Sequence, residues 1–521
     1  MRPLEIVLLV ALAPLVVLAF FARDRRPGWA KWWPILACAV MVLHFLIEGQ
    51  RWQMVPAYIL AVLLGVLTLL PSPSAPKTAW WRVAARITGA FACLAMFGLT
   101  CLLATGAPIF TYPKPSGPYG VGTTRLFFVD RSREDPFSPA PHTPRELLTA
   151  VWYPAEVVPG AKPDPFWPPD ADAQQGSGLP KFLTSHLHLV PSHSYSGAPL
   201  AKAEPRYPVL IFSHGYDSTI WQNVPQMEEL ASHGFIVVSL AHTYDSSSVK
   251  FPDGRVIASN SMTRNPSLKR EAWAKLADYS KRMEEEAENP AEIRRIWKES
   301  QEYQRQVGIP FVTSVVPWLD DTRFLMDQLA AINAGTAQGV VGEFKTFTGR
   351  MDLDRLGVFG MSFGGSTAGL VCSKDARCKA GLNFDGWQFG DLTADPLHVP
   401  FMFFSNQTAA AVAGYYESKA DLYSVHVKRS THGNFSDFSL IFPILTWTSS
   451  PRFAYLGRID GAEMERIMSA YSLAFFRQYL QGKPQPLLQS SPPPGEFPDV
   501  VFTAQRAAAE VNQPAVSRAR P

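Results

Sequence analysis

Ser362, Asp385 and His432 are the residues of this sequence whose types and order could carry out acyl transfer. A serine hydroxyl is a weak nucleophile at neutral pH; it needs an adjacent base, and the base needs an acid to orient it. Ser362 lies in Gly360-Met361-Ser362-Phe363-Gly364, a Gly-x-Ser-x-Gly motif. The apolar run from Leu356 to Phe359 precedes the motif, and the small residues Gly365, Ser366, Thr367, Ala368 and Gly369 follow it. The stretch therefore reads as strand, tight turn and helix, with the serine held out above the end of a sheet. Gly360 and Gly364 leave room where side chains would collide across the bend. Asp385 follows Ser362 by 23 residues, and His432 follows Asp385 by 47. His432 is expected to act as general base and acid, with Asp385 holding its tautomer and stabilising the imidazolium.

The elements around these residues set where they can meet. The run 208–212 is continuously apolar and ends in Ser213-His214-Gly215-Tyr216; a helix pattern runs on to His233 and stops at Gly234; 235–240 is a second apolar strand. Strand, helix and strand at this spacing predict a parallel sheet. Further strands are predicted at 125–129, 147–153, 380–384, 400–404 and 423–427, with a closing amphipathic helix over 462–480. The fold class expected is the α/β-hydrolase fold, a mostly parallel sheet flanked by helices. Ser362, Asp385 and His432 each follow a strand, in the order serine, acid, histidine that this fold uses. His214 and His242 also follow strands, but both precede the serine. The commoner place for the acid follows 400–404, yet that strand runs into Ser405-Asn406-Gln407 with no carboxylate; Asp391 and Asp395 lie deeper in a loop. The oxyanion needs two backbone N–H donors, expected from Phe363, directly after the nucleophile, and from Tyr216.

At 521 residues the chain has room for two or three domains, and a net charge of +3 gives no sign of a nucleic-acid partner. Four apolar stretches, 6–22, 32–47, 54–70 and 87–104, crowd its start. Each is near the length of a membrane-crossing helix, so about four transmembrane helices are expected over 1–106. Arg23, Arg25, Arg26 and Lys31 follow the first stretch, and Lys77, Arg82 and Arg86 lie between the third and fourth. By the positive-inside rule both loops are cytoplasmic, which puts the catalytic domain, 107–482, on the extracytoplasmic side. Residues 107–118 read as a Pro-rich linker, Lys269–Gln306 as exposed helices that are either a solvated face or a cap, and 483–521 as a disordered tail. Cys372 and Cys378 either pair, which an oxidising exterior permits, or stay as two thiols. His186, His188 and His193 lack a carboxylate or cysteine at ligand spacing and read as surface or packed histidines. No metal or organic cofactor is expected.

The catalytic half resembles the plasma and type II intracellular platelet-activating factor acetylhydrolases, the lipoprotein-associated phospholipase A2 family. The stretches that carry the resemblance are Phe212-Ser213-His214-Gly215, Leu230 to Val237, Gly360-x-Ser362-Phe363-Gly364-Gly365, Asp385-x-Trp387 and His432-x-Asn434-Phe435-x-Asp437-Phe438, with Gly117-Pro118-Tyr119-x-Val121-Gly122 opening the domain. The resemblance implies calcium-independent hydrolysis of short or oxidised acyl esters of phospholipids, with Ser362, Asp385 and His432 as triad and Tyr216 and Phe363 as oxyanion donors. The chain departs from the family in its apolar N-terminal region and in Tyr216, where a smaller aliphatic residue is usual. A general carboxylesterase or polyester hydrolase is the alternative, and an inactive membrane scaffold a third reading.

Overall fold

A computed structural model describes residues 1–21, 27–69, 80–168, 181–264, 270–286, 288–307, 310–390, 392, 395–406, 418–447, 455–489 and 496–507. Its centre is a mixed sheet built from β1 (Gly120–Glu134), β2 (Pro144–Ala155), β3 (Ser194–Ser196), β4 (Tyr207–Ser213), β5 (Ile236–Ala241), β8 (Met351–Met361), β9 (Cys378–Phe384), β10 (Phe401–Ser405), β11 (Leu422–Val427) and β12 (Val500–Gln505). A separate small hairpin joins β6 (Ser248–Lys250) to β7 (Val256–Ala258). The order across the sheet is β12-β11-β10-β9-β8-β4-β5-β2-β1-β3. From β11 to β5 every neighbouring pair is parallel, whereas β2 and β12 add antiparallel flanks. This is an α/β-hydrolase-like arrangement, as the alternation of predicted elements required.

β4, β5 and β10 are buried along their whole length, which explains their largely apolar sequences. Leu210 and Phe212 of β4 point to one side with Phe359, Phe384 and Phe404, where the helices Val224–Ser232 and Gly461–Leu480 cover them. Val209 and Ile211 point to the other with Val358, Phe401 and Phe403, under the helices Pro310–Ala334 and Phe363–Lys374. Each such side chain stabilises the sheet by about 1.5–3 kcal/mol through burial.

Two features mark the domain's ends. Within the expected linker, Phe110 and Tyr112 are buried against Phe166, at ring distances of 5.2 and 5.5 Å. The expected disordered tail contains a strand: β12 pairs antiparallel with β11, and its Val500, Phe502 and Ala504 pack on the core. Alternation with period two holds them there, within a segment whose Pro and Gln content masked it. Residues 490–495 and 508–521 of that tail lie outside the described residues.

The N-terminal region also differs from expectation. Its helices are α1 (Pro3–Leu18, 16 residues), α2 (Trp33–Ile47, 15), α3 (Val55–Leu69, 15) and α4 (Trp80–Gly106, 27). Among the described residues only one of them, over Val83–Gly106, is long and apolar enough to cross a membrane, so four spans are not what the structure contains. The other three are shorter, with turns described directly after α1 and α2. At a rise of about 1.5 Å per residue they fall below a bilayer's hydrocarbon thickness. The helices pack on one another through Leu8, Leu12, Ala37, Leu60 and Ala104. Their outer faces stay apolar: Val10, Leu46, Ile59 and Phe91 are 63%, 77%, 52% and 58% exposed. At the end next to the catalytic domain, Arg51 is buried against Glu5 (Nε–Oε1 2.7 Å, Nη2–Oε2 2.8 Å) and donates to the carbonyl of Ala107 at 2.9 Å.

Candidate active site

The strands β4, β8, β9, β10 and β11 run parallel, so their C-terminal ends open on one edge of the sheet, where such folds gather their reactive groups. Ser362 follows β8 on a bend with φ 54° and ψ −119°, and its N–H donates to the carbonyl of Phe384 at 2.8 Å. The bend is as tight as its glycines imply. A Cβ on Gly364 would lie 1.9 Å from the carbonyl oxygen of Ser213, and one on Gly360 2.3 Å from the carbonyl carbon of Gly364. Only glycine allows β4, β8 and the elbow helix to cross this closely.

Ser362, Asp385 and His432 are brought together. His432 Nε2 is 2.9 Å from Ser362 Oγ, and its Nδ1 is 2.7 Å from Asp385 Oδ2. Nδ1–H donating to the carboxylate leaves Nε2 as the acceptor facing the hydroxyl, the tautomer a general base requires. Burial works against a charged imidazole, and the Asp385 carboxylate more than offsets it, so the pKa of His432 lies above its ordinary 6.5. In the neutral imidazole Nε2 is free to accept a proton, and a raised pKa moves its deprotonation to higher pH. Activity governed by this histidine is expected to rise with pH through a midpoint above 6.5. In Asp385→Asn the midpoint is expected to fall and kcat/KM to drop by about ten-thousand-fold. A pH–rate profile of both proteins checks this; an unmoved midpoint in the variant would separate Asp385 from His432.

Asp385 is held by a residue that sequence reasoning passed over. Asn406, just beyond β10, donates its backbone N–H to Asp385 Oδ1 at 2.8 Å and its side-chain amide to Oδ2 at 3.1 Å. It stands at the strand end where the fold more often carries the acid itself, and the missing carboxylate there was the available signal. Asn383 closes the turn beneath by exchanging two hydrogen bonds with Gly386, at 2.7 and 2.9 Å. Of the other acids weighed, Asp395 pairs with Lys374 and Asp391 lies outside the described residues. On the base loop, Asn434 Oδ1 accepts the N–H groups of Thr431 at 2.8 Å and Gly457 at 2.7 Å, which fixes the turn that presents His432.

Phe363 opens the elbow helix, so its amide lies at the helix's positive end beside Ser362. Gly215 and Tyr216 flank the serine from the other side: a Cβ on Gly215 would lie 3.5 Å from Ser362 Cβ, and the rings of Tyr216 and Phe363 meet edge-on at 5.5 Å. A cavity of about 680 Å³ opens above Ser362 and His432; Trp167, Leu183, Met361, Phe438, Ile441 and Leu445 supply most of its apolar lining. Asp437 borders it but accepts the N–H of Asn223 at 2.7 Å, and burial pushes its carboxyl up to about 7.

The other histidines are elsewhere. His214 and His242 are fully buried behind the site, and burial lowers the pKa of both, that of His214 to about 3. His242 donates through Nδ1 to Asp321 at 3.0 Å and accepts from Ser213 Oγ at 3.2 Å. Asp321 in turn receives Arg145 Nη2 at 2.7 Å, and Arg145 Nη1 donates to Asp135 at 2.8 Å. Burial disfavours the charge on Asp321, but Arg145 and His242 outweigh it and hold the carboxyl below its ordinary range. His186, His188 and His193 do not converge on one point: His193 Nε2 donates to the carbonyl of Tyr112 at 3.2 Å, and His186 is buried under the wall of the cavity. Among the described residues no group of three or more His, Cys, Asp or Glu is arranged around a metal position. Cys372 and Cys378 are joined by a disulfide that ties the end of the elbow helix to β9. The Arg270–Glu285 and Pro290–Val307 helices pair through Tyr279, Met283, Ile293 and Trp297 and rest against Trp387, two residues beyond Asp385.

Comparison with known proteins places these features in context. Residues 105–485 match the family model described as platelet-activating factor acetylhydrolase, isoform II. The chain is 25% identical over 401 residues to a platelet-activating factor acetylhydrolase of Cavia porcellus, covering 73% of this chain and 80% of that one. It is 24% identical over 431 residues to a probable 1-alkyl-2-acetylglycerophosphocholine esterase of Arthroderma benhamiae, covering 75% and 94%. Among solved structures, a ferulic acid esterase from Streptomyces cinnamoneus aligns with a TM-score of 0.53 at 23% identity, over 76% of this chain and 99% of that one. At that identity the last likeness bears on the fold alone.

Proposed function

Because the chain belongs to the platelet-activating factor acetylhydrolase isoform II family and is a hydrolase homologous to 1-alkyl-2-acetylglycerophosphocholine esterases, we propose that it cleaves short or oxidised acyl esters of phospholipids through Ser362, His432 and Asp385. The observation that carries this reading is the relay from Ser362 Oγ to His432 at 2.9 Å and on to Asp385 at 2.7 Å, at the floor of an apolar cavity of about 680 Å³. Ser362 Oγ attacks the ester carbonyl as His432 Nε2 takes its proton. The N–H groups of Phe363 and Tyr216 receive the developing oxyanion. The tetrahedral intermediate collapses, the C–O bond to the lysophospholipid breaks, and His432 returns the proton to the leaving oxygen. Water, deprotonated by the same imidazole, then attacks the acyl-enzyme, and the serine leaves with the free acid as the other product. No step draws on a metal or cofactor, in keeping with the calcium independence proposed for it.

Labelling by a fluorophosphonate probe, followed by comparison of a 2-acetyl phospholipid with a soluble short-chain ester, tests this reading. Labelling with a preference for the phospholipid is expected. Labelling with the reverse preference would make the protein a general carboxylesterase, and absence of labelling and of turnover would reject the enzyme.

The N-terminal helices are proposed to seat the protein in a bilayer, with Trp80–Gly106 crossing it and α1 to α3 packed alongside. The apolar outer faces of these helices support this. α4 ends at Gly106 next to the catalytic domain, so Arg86, near its start, belongs to the far end. By the positive-inside rule the far end is cytoplasmic and the catalytic domain extracytoplasmic. A C-terminal reporter active only outside the cytoplasm should therefore give signal; a signal from its cytoplasmic counterpart would reverse the orientation.

A further inference from the structure

The outer wall of the active-site cavity is made of two short segments, and both are carried on the ends of the N-terminal helices. The first is 181–189. Its Leu183 and Thr184 face the cavity, while Phe182 beside them meets Trp52, at the start of α3, edge-on with ring centroids 5.3 Å apart. Leu189, at the other end of this segment, is the nearest neighbour of Gly49, where a Cβ would stand 3.5 Å from it. The second segment is 436–447. Phe438, Ile441, Phe442 and Leu445 face the cavity, while Ile444 closes on Gly106, the last residue of α4; a Cβ there would lie 3.0 Å from Ile444.

The seam between α4 and this second segment is not filled. A cavity of about 590 Å³ opens there between Thr105, Gly106, Ser439 and Ile444, and Arg458 stands on its rim. Arg458 is exposed and makes no ion pair among the described residues. Three residues earlier in the chain, Tyr455 lines the active-site cavity itself. The seam thus offers the apolar side chains of Pro443, Ile444 and Ile459, the exposed guanidinium of Arg458 with Arg429 and Asp460 in the same lining, and a wall, the segment 436–447, that it shares with the cavity above Ser362. An amphiphile with an anionic headgroup matches that chemistry, and the bundle places the seam at the bilayer surface. There the ester of a membrane lipid lies, at the boundary of headgroup and acyl chain.

We infer that the substrate reaches Ser362 from the bilayer in which the N-terminal helices sit, entering along the seam between the end of α4 and the segments 181–189 and 436–447, with Arg458 receiving its phosphate. This rests on the proposed ester hydrolysis and adds the route and the physical state of the substrate. It makes the helices part of substrate delivery, beyond holding the domain in place. Phospholipid in the adjoining leaflet is the substrate class, and soluble esters reach the serine through the open face of the cavity without using the seam.

The test uses the full chain in phosphatidylcholine vesicles carrying a 2-acetyl phospholipid, with p-nitrophenyl acetate in buffer as the soluble ester. The variant is Phe182→Ser combined with Arg458→Gln. Both side chains are exposed, so the fold is expected to tolerate the changes. The expected result is a loss of about tenfold in kcat/KM on the vesicle ester, with the p-nitrophenyl acetate rate unchanged and the same fraction of protein bound to vesicles. Equal losses on both substrates, or no loss on the vesicle ester, would overturn the route. A wild-type protein that hydrolyses neither ester would instead overturn the underlying esterase reading.

Discussion

Ser362→Ala is expected to lower ester turnover by about ten-thousand- to million-fold while leaving the protein folded. The change removes one oxygen, and the hydrogen-bond partner of that oxygen is His432 Nε2 at 2.9 Å. Alanine meets the same positive φ of 54° with the same Cβ, so the bend is neither relieved nor further strained. His432 keeps Asp385, and Asp385 keeps Asn406, so the rest of the relay stands. What remains is the cavity and the Phe363 and Tyr216 amides proposed to receive the oxyanion, which would account for residual catalysis over water but no acyl-enzyme. Steady-state kinetics beside a thermal unfolding curve makes the comparison, and loss of fluorophosphonate labelling should accompany it. Turnover within a few-fold of wild type would show that another group is the nucleophile.

Arg145→Met is expected to lower stability by about 3–5 kcal/mol. Arg145 is fully buried, and its guanidinium is shared between Asp321, Asp135 and the carbonyl of Thr243. Methionine fills part of the volume but leaves Asp321 and Asp135 with less of their countercharge, in a region where water cannot replace it. Arg133 reaches Asp321 at 3.1 Å and is too exposed to take over. The loss should reach the active site as well, because Asp321 orients His242, and His242 accepts from Ser213, the last residue of β4 before the Gly215–Tyr216 turn. Denaturant unfolding measures the loss, and adding Asp321→Asn to the variant should restore part of it, since one of the stranded charges is then removed. An unchanged unfolding midpoint would mean that the buried pairs contribute nothing net.

The sheet and the serine-acid-histidine order were legible because each depends on local pattern. Val209 to Phe212 are apolar without interruption, Ile236 to Leu240 are broken only by the small buried Ser239, and a strand covered on both faces explains both. The Gly-x-Ser-x-Gly bend is equally local: its glycines are required by contacts of 1.9 and 2.3 Å. What escaped was set by distant partners. Asn406 reads as a loop residue until β9 and β10 are laid side by side, and only then does it fall within reach of Asp385. β12 was hidden because its three inward residues, Val500, Phe502 and Ala504, sit in a segment whose composition argues for disorder. The N-terminal stretches were read from apolar length alone, and the turns that end α1 and α2 early carry no strong signal in the sequence. His242 followed a strand as His432 does; burial, which one sequence does not reveal, separates a structural histidine from one at a cavity floor.

Ser362 and Asp385 share one conformational feature, a positive φ of 54° and 53° respectively. L-residues with a Cβ pay about 1–2 kcal/mol for such a backbone, and glycine pays almost nothing. Natural selection for ester turnover therefore holds two residues in place against a standing pull toward glycine. In a lineage released from that selection, through a duplicated copy or a changed diet of lipids, the same pull would act unopposed. Glycine at 362 would then relieve that strain, and its arrival would record the loss of activity more plainly than any change in the cavity walls.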